Sequence, residues 1–270
     1  MKLAYVYGTG DTRGPVLGAK GDPAHVFPFI KGSGYAAIEP FVRDPNLIDT
    51  VHFEKMVNRF GLEVAAVGTG PVVSDDQLTF TDEKSEVRRE AVHRVKEIVD
   101  FASLFNAPVN IGKLRGNIDE ARQDLSWNWM EESFLEICEY ADQRGITIIL
   151  EPQNTKNINN INTTKEGLSF IDKMNLSNLY LMLDVYHMSY EDESISLGLV
   201  KAKNRLLHLH FADSNRRAPG QGKFNFEDIM KTLHSIQYNG YLSMEVSYEI
   251  DRYEEAKETV DYLSPWMKEE

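Results

Sequence analysis

Four acidic or imidazole side chains close four successive apolar runs. Ile148-Ile149-Leu150 leads into Glu151, Leu181-Met182-Leu183 into Asp184, Leu207-His208-Leu209 into His210, and Leu242-Ser243-Met244 into Glu245. The intervals are 33, 26 and 35 residues, each near the roughly 30 residues of one strand-helix unit in an eight-fold barrel. Three carboxylates and one imidazole suit a hard divalent cation, Mn²⁺ or Mg²⁺, and tolerate Co²⁺; a softer metal would ask for cysteine. One acid after an apolar strand is commonplace, but four in succession at one spacing are not. Without a cation, three converging carboxylates would repel one another and lose hydration. His208 and His210 are two apart and face one side of a strand, so the outer one, His210, takes the ligand role and His208 packs or hydrogen-bonds inside. His187, three residues after Asp184, can reach the same pocket and hold a substrate oxygen.

Such a site needs strands that end together. Short apolar stretches recur at Lys2–Tyr7, Tyr35–Pro40, Glu63–Gly68, Pro108–Gly112, Ile146–Glu151, Tyr180–Asp184, Leu206–His210 and Tyr241–Val246. Helical periodicity fills the gaps, as over Leu47–Phe60, Glu83–Phe105, Trp129–Arg144 and Phe226–Ile236. The strands are apolar throughout rather than alternating, as buried parallel strands are. Gly61, Gly145 and Gly240 precede strands, where a helix end calls for positive φ, and Asn106-Ala107-Pro108 does a similar job before strand four. Thr163–Glu166 is read as a helix cap, and Thr81 with Lys84 or Ser85 as another. Eight βα units predict a (β/α)8 TIM barrel occupying residues 1–270 as a single domain, with its site at the C-terminal ends of the strands.

Composition narrows the classes. The 270 residues are 42 % hydrophobic and 10 % aromatic, enough for a core. A mean hydropathy of −0.39 with no long apolar run argues against a membrane partner. The N-terminus has no signal-peptide pattern, and one cysteine, Cys138, forms no internal disulfide and reads as a small buried hydrophobe, so a cytoplasmic location is expected. A net charge of −13 opposes nucleic-acid binding. The densest basic cluster, Arg216-Arg217 with Lys223 nearby, suits a small anionic or polyhydroxylated ligand. Arg216 and Lys113 near the mouth fit a sugar acid.

The stretches Glu151-Pro152-Gln153-Asn154, Leu183-Asp184-Val185-Tyr186-His187-Met188 and His208-Leu209-His210-Phe211-Ala212-Asp213-Ser214-Asn215-Arg216 resemble the sugar isomerase/epimerase superfamily of xylose isomerase-like barrels. The nearest branch is the ketose 3-epimerases of the D-tagatose 3-epimerase type. Arg217–Gly222, Glu39–Pro45, Gly68–Gly70 and Ile111–Gly116 extend the resemblance over nearly the whole chain. It implies Glu151, Asp184, His210 and Glu245 as metal ligands. It implies Glu151 and Glu245 as the carboxylates that move a proton next to a carbonyl, through a metal-stabilised enediolate reprotonated on the other face. His187 and Arg216, with Glu39 and Lys113, are the expected substrate contacts. An aldose–ketose isomerase would use the same parts. One departure stands out: the family runs Glu-x-x-Asn-Arg-x-Glu, whereas here Thr155 and Asn157 replace the arginine and second glutamate. That glutamate partners the loop histidine, so Asn157 is expected beside His187, where it cannot raise the imidazole's pKa.

Other features read more plainly. Gly8-Thr9-Gly10 with Gly14 has the wrong spacing for a dinucleotide loop and predicts a flexible first βα loop, a candidate lid. Endonuclease IV-like barrels need three zinc ions and extra histidines, but strands three and four here end in Gly68 and Gly112. A barrel that binds a sugar acid without turnover is the remaining alternative. Trp127 and Trp129 suit either sugar stacking or packing. The acidic run 251–270 predicts a solvated helix face. Sequence leaves homo-oligomerisation open.

Overall fold

Strands apolar on both faces must be covered on both, and this chain does so by closing its sheet. In the computed structural model, which describes residues 1–247 and 252–267, the barrel strands are β1 (Lys2–Gly8), β2 (Ala37–Phe41), β3 (Glu63–Val64 and Val67–Gly68), β4 (Val109–Ile111), β5 (Ile148–Leu150), β6 (Leu179–Asp184), β7 (Leu206–Phe211) and β8 (Tyr241–Met244). Neighbours pair in parallel, and β1 bonds both β2 and β8, which closes the ring. A two-residue strand, Ala19–Lys20, lies beside the end of β1.

The helices are α1 (Pro23–Gly32), α2 (Thr50–Phe60), α3 (Gly70–Asp76), α4 (Ser85–Ser103), α5 (Gln123–Asp142), α6 (Thr164–Met174), α7 (Val185–Glu191), α8 (Ile195–Ala202), α9 (Phe226–Ser235) and α10 (Arg252–Met267). Their apolar stripes join the outward strand residues in one large cluster that includes Phe27, Phe53, Ile98 and Phe134. Two small clusters, Ala4–Ala37–Ala65 and Ala66–Ile149–Met182, stand apart from it. Side chains alternate along a strand, so Ala37, Ile149 and Met182 share a face with Glu39, Glu151 and Asp184. The same small apolar layer thus sits beneath the candidate site.

Helix ends explain why the units punctuate as they do. Gly61 and Gly145 hold positive φ, as does Asn106. Thr163 makes a full capping box with Glu166 on α6. Two expectations are corrected. The left-handed residue before β8 is Gln237, not Gly240; a Cβ at Gly240 would come within 2.3 Å of the Tyr238 hydroxyl, so there close approach calls for glycine. Thr81 does not cap α4: its hydroxyl donates to the Asn117 carbonyl, and Asp82 accepts from the Lys84 amide instead.

Cys138 is buried in α5, and burial pushes its thiol up to about 12. Trp127 packs against Phe170, and Trp129 lies under Arg88, so neither is a sugar platform. Within the acidic run, Glu255 is buried against Arg217 rather than solvated; residues 251 and 268–270 lie outside the described residues. No helix among the described residues is long and apolar enough to cross a membrane.

Candidate metal centre and substrate cavity

Strand parity aims Glu151, Asp184, His210 and Glu245 into the barrel mouth, and the structure brings all four together. Ligand-type atoms of Asp184, His210 and Glu245 lie within 4.8 Å of one another, as do those of Glu151, Asp184 and His187. His210 Nδ1 is 3.3 Å from Glu245 Oε2 and 3.5 Å from Glu151 Oε1. Gly112 makes room for this: a Cβ there would come within 2.7 Å of both Glu151 Oε2 and Gln153 Nε2. The glycine that ends strand four, read from sequence only as the absence of a ligand there, is a steric requirement of the Glu151 rotamer.

The donor set fits a divalent cation on its own geometry. Glu151 Oε2 accepts from Gln153 Nε2 at 2.7 Å and Asn110 Nδ2 at 3.3 Å. Glu151 Oε1 and His210 Nδ1 are buried and have no hydrogen-bond partner. A buried carboxylate oxygen and imidazole nitrogen left without partners, beside Asp184 and Glu245, belong to a set of residues that would hold a cation. His210 Nε2 lies 3.0 and 3.1 Å from the two oxygens of Glu39, which fixes the ring and turns Nδ1 toward the cluster. Burial opposes charge on His210, yet Glu39 and Glu151 outweigh it and hold the imidazolium up to about 10. Burial would likewise raise Glu151, but His210 and Gln153 bring it down to about 2. Positive charge at His210 is thus favoured by the carboxylates around it.

Glu39 is the expected substrate contact that lands elsewhere. It is fully buried one layer below the cluster, with His208 Nε2 at 2.8 Å and His210 Nε2 on its oxygens. Both oxygens are engaged and it does not line the cavity. His208 is the hydrogen-bonded layer residue the sequence suggested. Asn157 is also not where expected. The partner of His187 is Asn154, whose Nδ2 donates to Nδ1 at 2.8 Å, while Asn157 Nδ2 sits 3.4 Å from Gln153 Oε1. Burial lowers the His187 pKa, so it offers a neutral Nε2–H, 3.6 Å from Asp184 Oδ2.

Arg216 donates to both Asp184 and Glu245 and lies over the Tyr186 ring. It holds φ 62°, unusual for a residue with a Cβ. The loop is built to impose that. Asp213 accepts from the amides of Ser214, Gly220, Gly222 and Phe224, and its carbonyl accepts from Arg216 N. The segment Asp213–Gly222 is thus a scaffold around one carboxylate that presents one guanidinium.

The cluster opens into a cavity of about 480 Å³, within the usual 300–1,000 Å³ for small-molecule sites. Lys113, His187 and Arg216 line it as expected. Pro15, Val16 and Leu17 form one wall, from the loop expected to be flexible. Hydrogen bonds hold that loop on either side of this wall. Asp75 accepts from the amides of Arg13 and Gly14, Asp11 from those of Arg43 and Asp44, and Lys20 Nζ donates to the carbonyls of Thr12 and Gly14.

Sequence reading also missed Asn110, Gln153, Asn154, Tyr186 and Arg115. Asn110 carried a signal, as the one polar residue inside an apolar strand. Arg115 carried none. It is fully buried, and its five N–H groups reach the carbonyl oxygens of Gly112, Glu151, Asn160 and Ile161 and the Asn160 side chain.

Residues 27–269 match the profile of the xylose isomerase-like TIM barrel family, and the chain belongs to that family. A D-psicose 3-epimerase from Ruminiclostridium cellulolyticum is 35 % identical over 119 residues, 44 % of this chain and 41 % of that protein. An L-ribulose 3-epimerase from Methylomonas is 27 % identical over 79 % of this chain and 74 % of that protein. In three dimensions, the D-psicose 3-epimerase of Clostridium cellulolyticum H10, solved with D-tagatose, superposes with a TM-score of 0.83 at 21 % identity, covering 99 % of this chain and all of the other.

Proposed function

We propose that this chain is a divalent-metal-dependent epimerase of a keto-sugar or keto-sugar acid that inverts the carbon beside the carbonyl. One observation carries the reading: Glu151 and Glu245 flank a single cation-demanding cluster from strands three apart on the barrel, so two carboxylates address one point from different sides. The names of the relatives support it, all being sugar 3-epimerases among those described above.

Glu151, Asp184, His210 and Glu245 would hold the cation, Mn²⁺ or Mg²⁺ by their hardness. When bound, it supplies a Lewis acid that stabilises negative charge developing on the carbonyl oxygen as the neighbouring C–H ionises. Glu151 or Glu245 takes the proton, and the other returns one to the opposite face. Arg216 and the His187 Nε2–H hold substrate oxygens between them. Gln153 and Asn110 keep the Glu151 carboxylate aimed.

The test is a panel of ketoses and keto-aldonates incubated with Mn²⁺ and protein in D₂O. Deuterium is expected at the carbon next to the carbonyl. Glu245→Gln is expected to abolish exchange with the circular dichroism spectrum unchanged. Failure of the whole panel to exchange would overturn the reading, as would exchange that survives in Glu245→Gln.

A further inference from the structure

Two of the cations that line the cavity have no carboxylate partner. The lining contains three cations, Lys113, Lys156 and Arg216, against two carboxylates, Glu151 and Glu245. Asp184 lies fully buried behind them and brings the anions to three. Arg216 is committed to Asp184 and Glu245. Neither Lys113 nor Lys156, both exposed, is paired with a carboxylate among the described residues. Lys156 Nζ instead lies 4.3 Å above the Tyr190 ring, which leaves an ammonium able to take an anion as well.

The two lysines are neighbours by topology. Lys113 opens the turn directly after β4 and Lys156 follows β5, and those strands are adjacent, with Ile111 in register with Leu150. The facing wall, Pro15–Leu17 and Phe41, offers no charge at all.

We propose that the substrate is an anionic ketose, whose terminal carboxylate or phosphate lies against Lys113 and Lys156 while its carbonyl end lies at the metal cluster. This rests on the epimerase reading above but names what that reading leaves open. The anion's charge is met by two exposed ammoniums, so the recognition acts on encounter and on KM, and it weakens with salt.

The experiment uses the Mn²⁺-loaded protein and three ketoses: neutral, with a terminal carboxylate, and with a terminal phosphate. One anionic ketose is expected to exceed the neutral one in kcat/KM for exchange by at least about tenfold, a preference that falls as salt rises. The carboxylate and phosphate arms identify which anion it is. In the double variant Lys113→Met/Lys156→Met, the anionic preference is expected to collapse through KM. Calorimetry with D-gluconate, glucitol 6-phosphate and D-glucitol reads binding without turnover. If no ketose exchanges, the epimerase reading falls alone, and tighter, lysine-dependent binding of gluconate or glucitol phosphate still sustains the anion site. A neutral ketose processed as well as both anions, or a preference that survives the double variant, or glucitol bound as tightly as both anions, overturns it.

Discussion

Replacing Arg115 by methionine tests whether the cluster is held from behind by a cation that never meets substrate. The guanidinium has no exposure, and all five of its N–H groups are used on carbonyl oxygens. Burial lowers its pKa to about 10, with Glu151 and Glu166 opposing, so it stays charged at neutral pH. Methionine fills much of the volume and leaves those acceptors without donors. Each buried acceptor left unpaired costs about 1–3 kcal/mol, and water entry with the Arg115 amide still on the Gly112 carbonyl holds the total to about 3–5 kcal/mol. At about 2–4 °C per kcal/mol for a chain near this size, the melting temperature should fall by about 6–20 °C. One of the five acceptors is the Glu151 carbonyl, so Mn²⁺ affinity should also fall by about 10–100-fold, as when support behind a ligand is lost. Differential scanning calorimetry and Mn²⁺ titration read the two effects. Arg115→Lys keeps the charge with at most three donors and should fall between. A methionine variant that melts within about 2 °C of the parent and binds Mn²⁺ equally well would refute the reasoning.

Glu39→Gln should weaken Mn²⁺ binding by about 10–100-fold in calorimetry while leaving the fold, because the amide cannot accept from His208 and His210 as a carboxylate does; unchanged affinity removes Glu39 from any part in aiming His210. Gly112→Ala should cut exchange by about a hundredfold through displacement of Glu151 and Gln153, and a crystal structure should show both side chains moved. For Asp76, burial favours the neutral acid, but hydrogen bonds from Arg43 and Arg94 outweigh it and hold the carboxyl below its usual range. Its stabilisation is therefore full above the unfolded-state value and is lost as pH falls through the folded one. Urea midpoints should drop more steeply on acidification for the parent than for Asp76→Asn, and parallel slopes would contradict the assignment.

The residues at strand ends were legible because two periodicities agree on them. Alternation along a strand fixes which side chains enter the lumen, and βα spacing fixes that they enter at one level. Glu151, Asp184, His210 and Glu245 satisfy both. Glu39 satisfies the first and fails the second: it sits two residues before Phe41, which lines the cavity, and so lies one layer down. Two inward histidines at 208 and 210 called for a buried acid, and Glu39 was the available one. Asn154 displaced Asn157 beside His187 because the chain turns back after strand five, with the amides of Asn157 and Ile158 donating to the Asn154 carbonyl. Arg115 was illegible in principle, since its partners are mostly main-chain carbonyls, which every residue carries.

These placements share an electrostatic logic that explains how a barrel core tolerates so many charges. Glu39 lies lowest and is neutralised by His208 and His210. Above it, His210 faces Glu151 and Glu245. Above these, Arg216 reaches Asp184 and Glu245 from the loop. Signs alternate layer by layer toward the mouth, so each buried charge is met by its neighbour above or below rather than by solvent. The carboxylate tier is the one place where this fails. Arg216 covers Asp184 and Glu245, whereas Glu151 Oε1 and His210 Nδ1 face each other without a partner. A buried carboxylate oxygen and imidazole nitrogen left without partners in this tier fit a site that would receive a cation. The next tier outward is then the natural place for substrate oxygens, and the lysines beyond it for substrate charge.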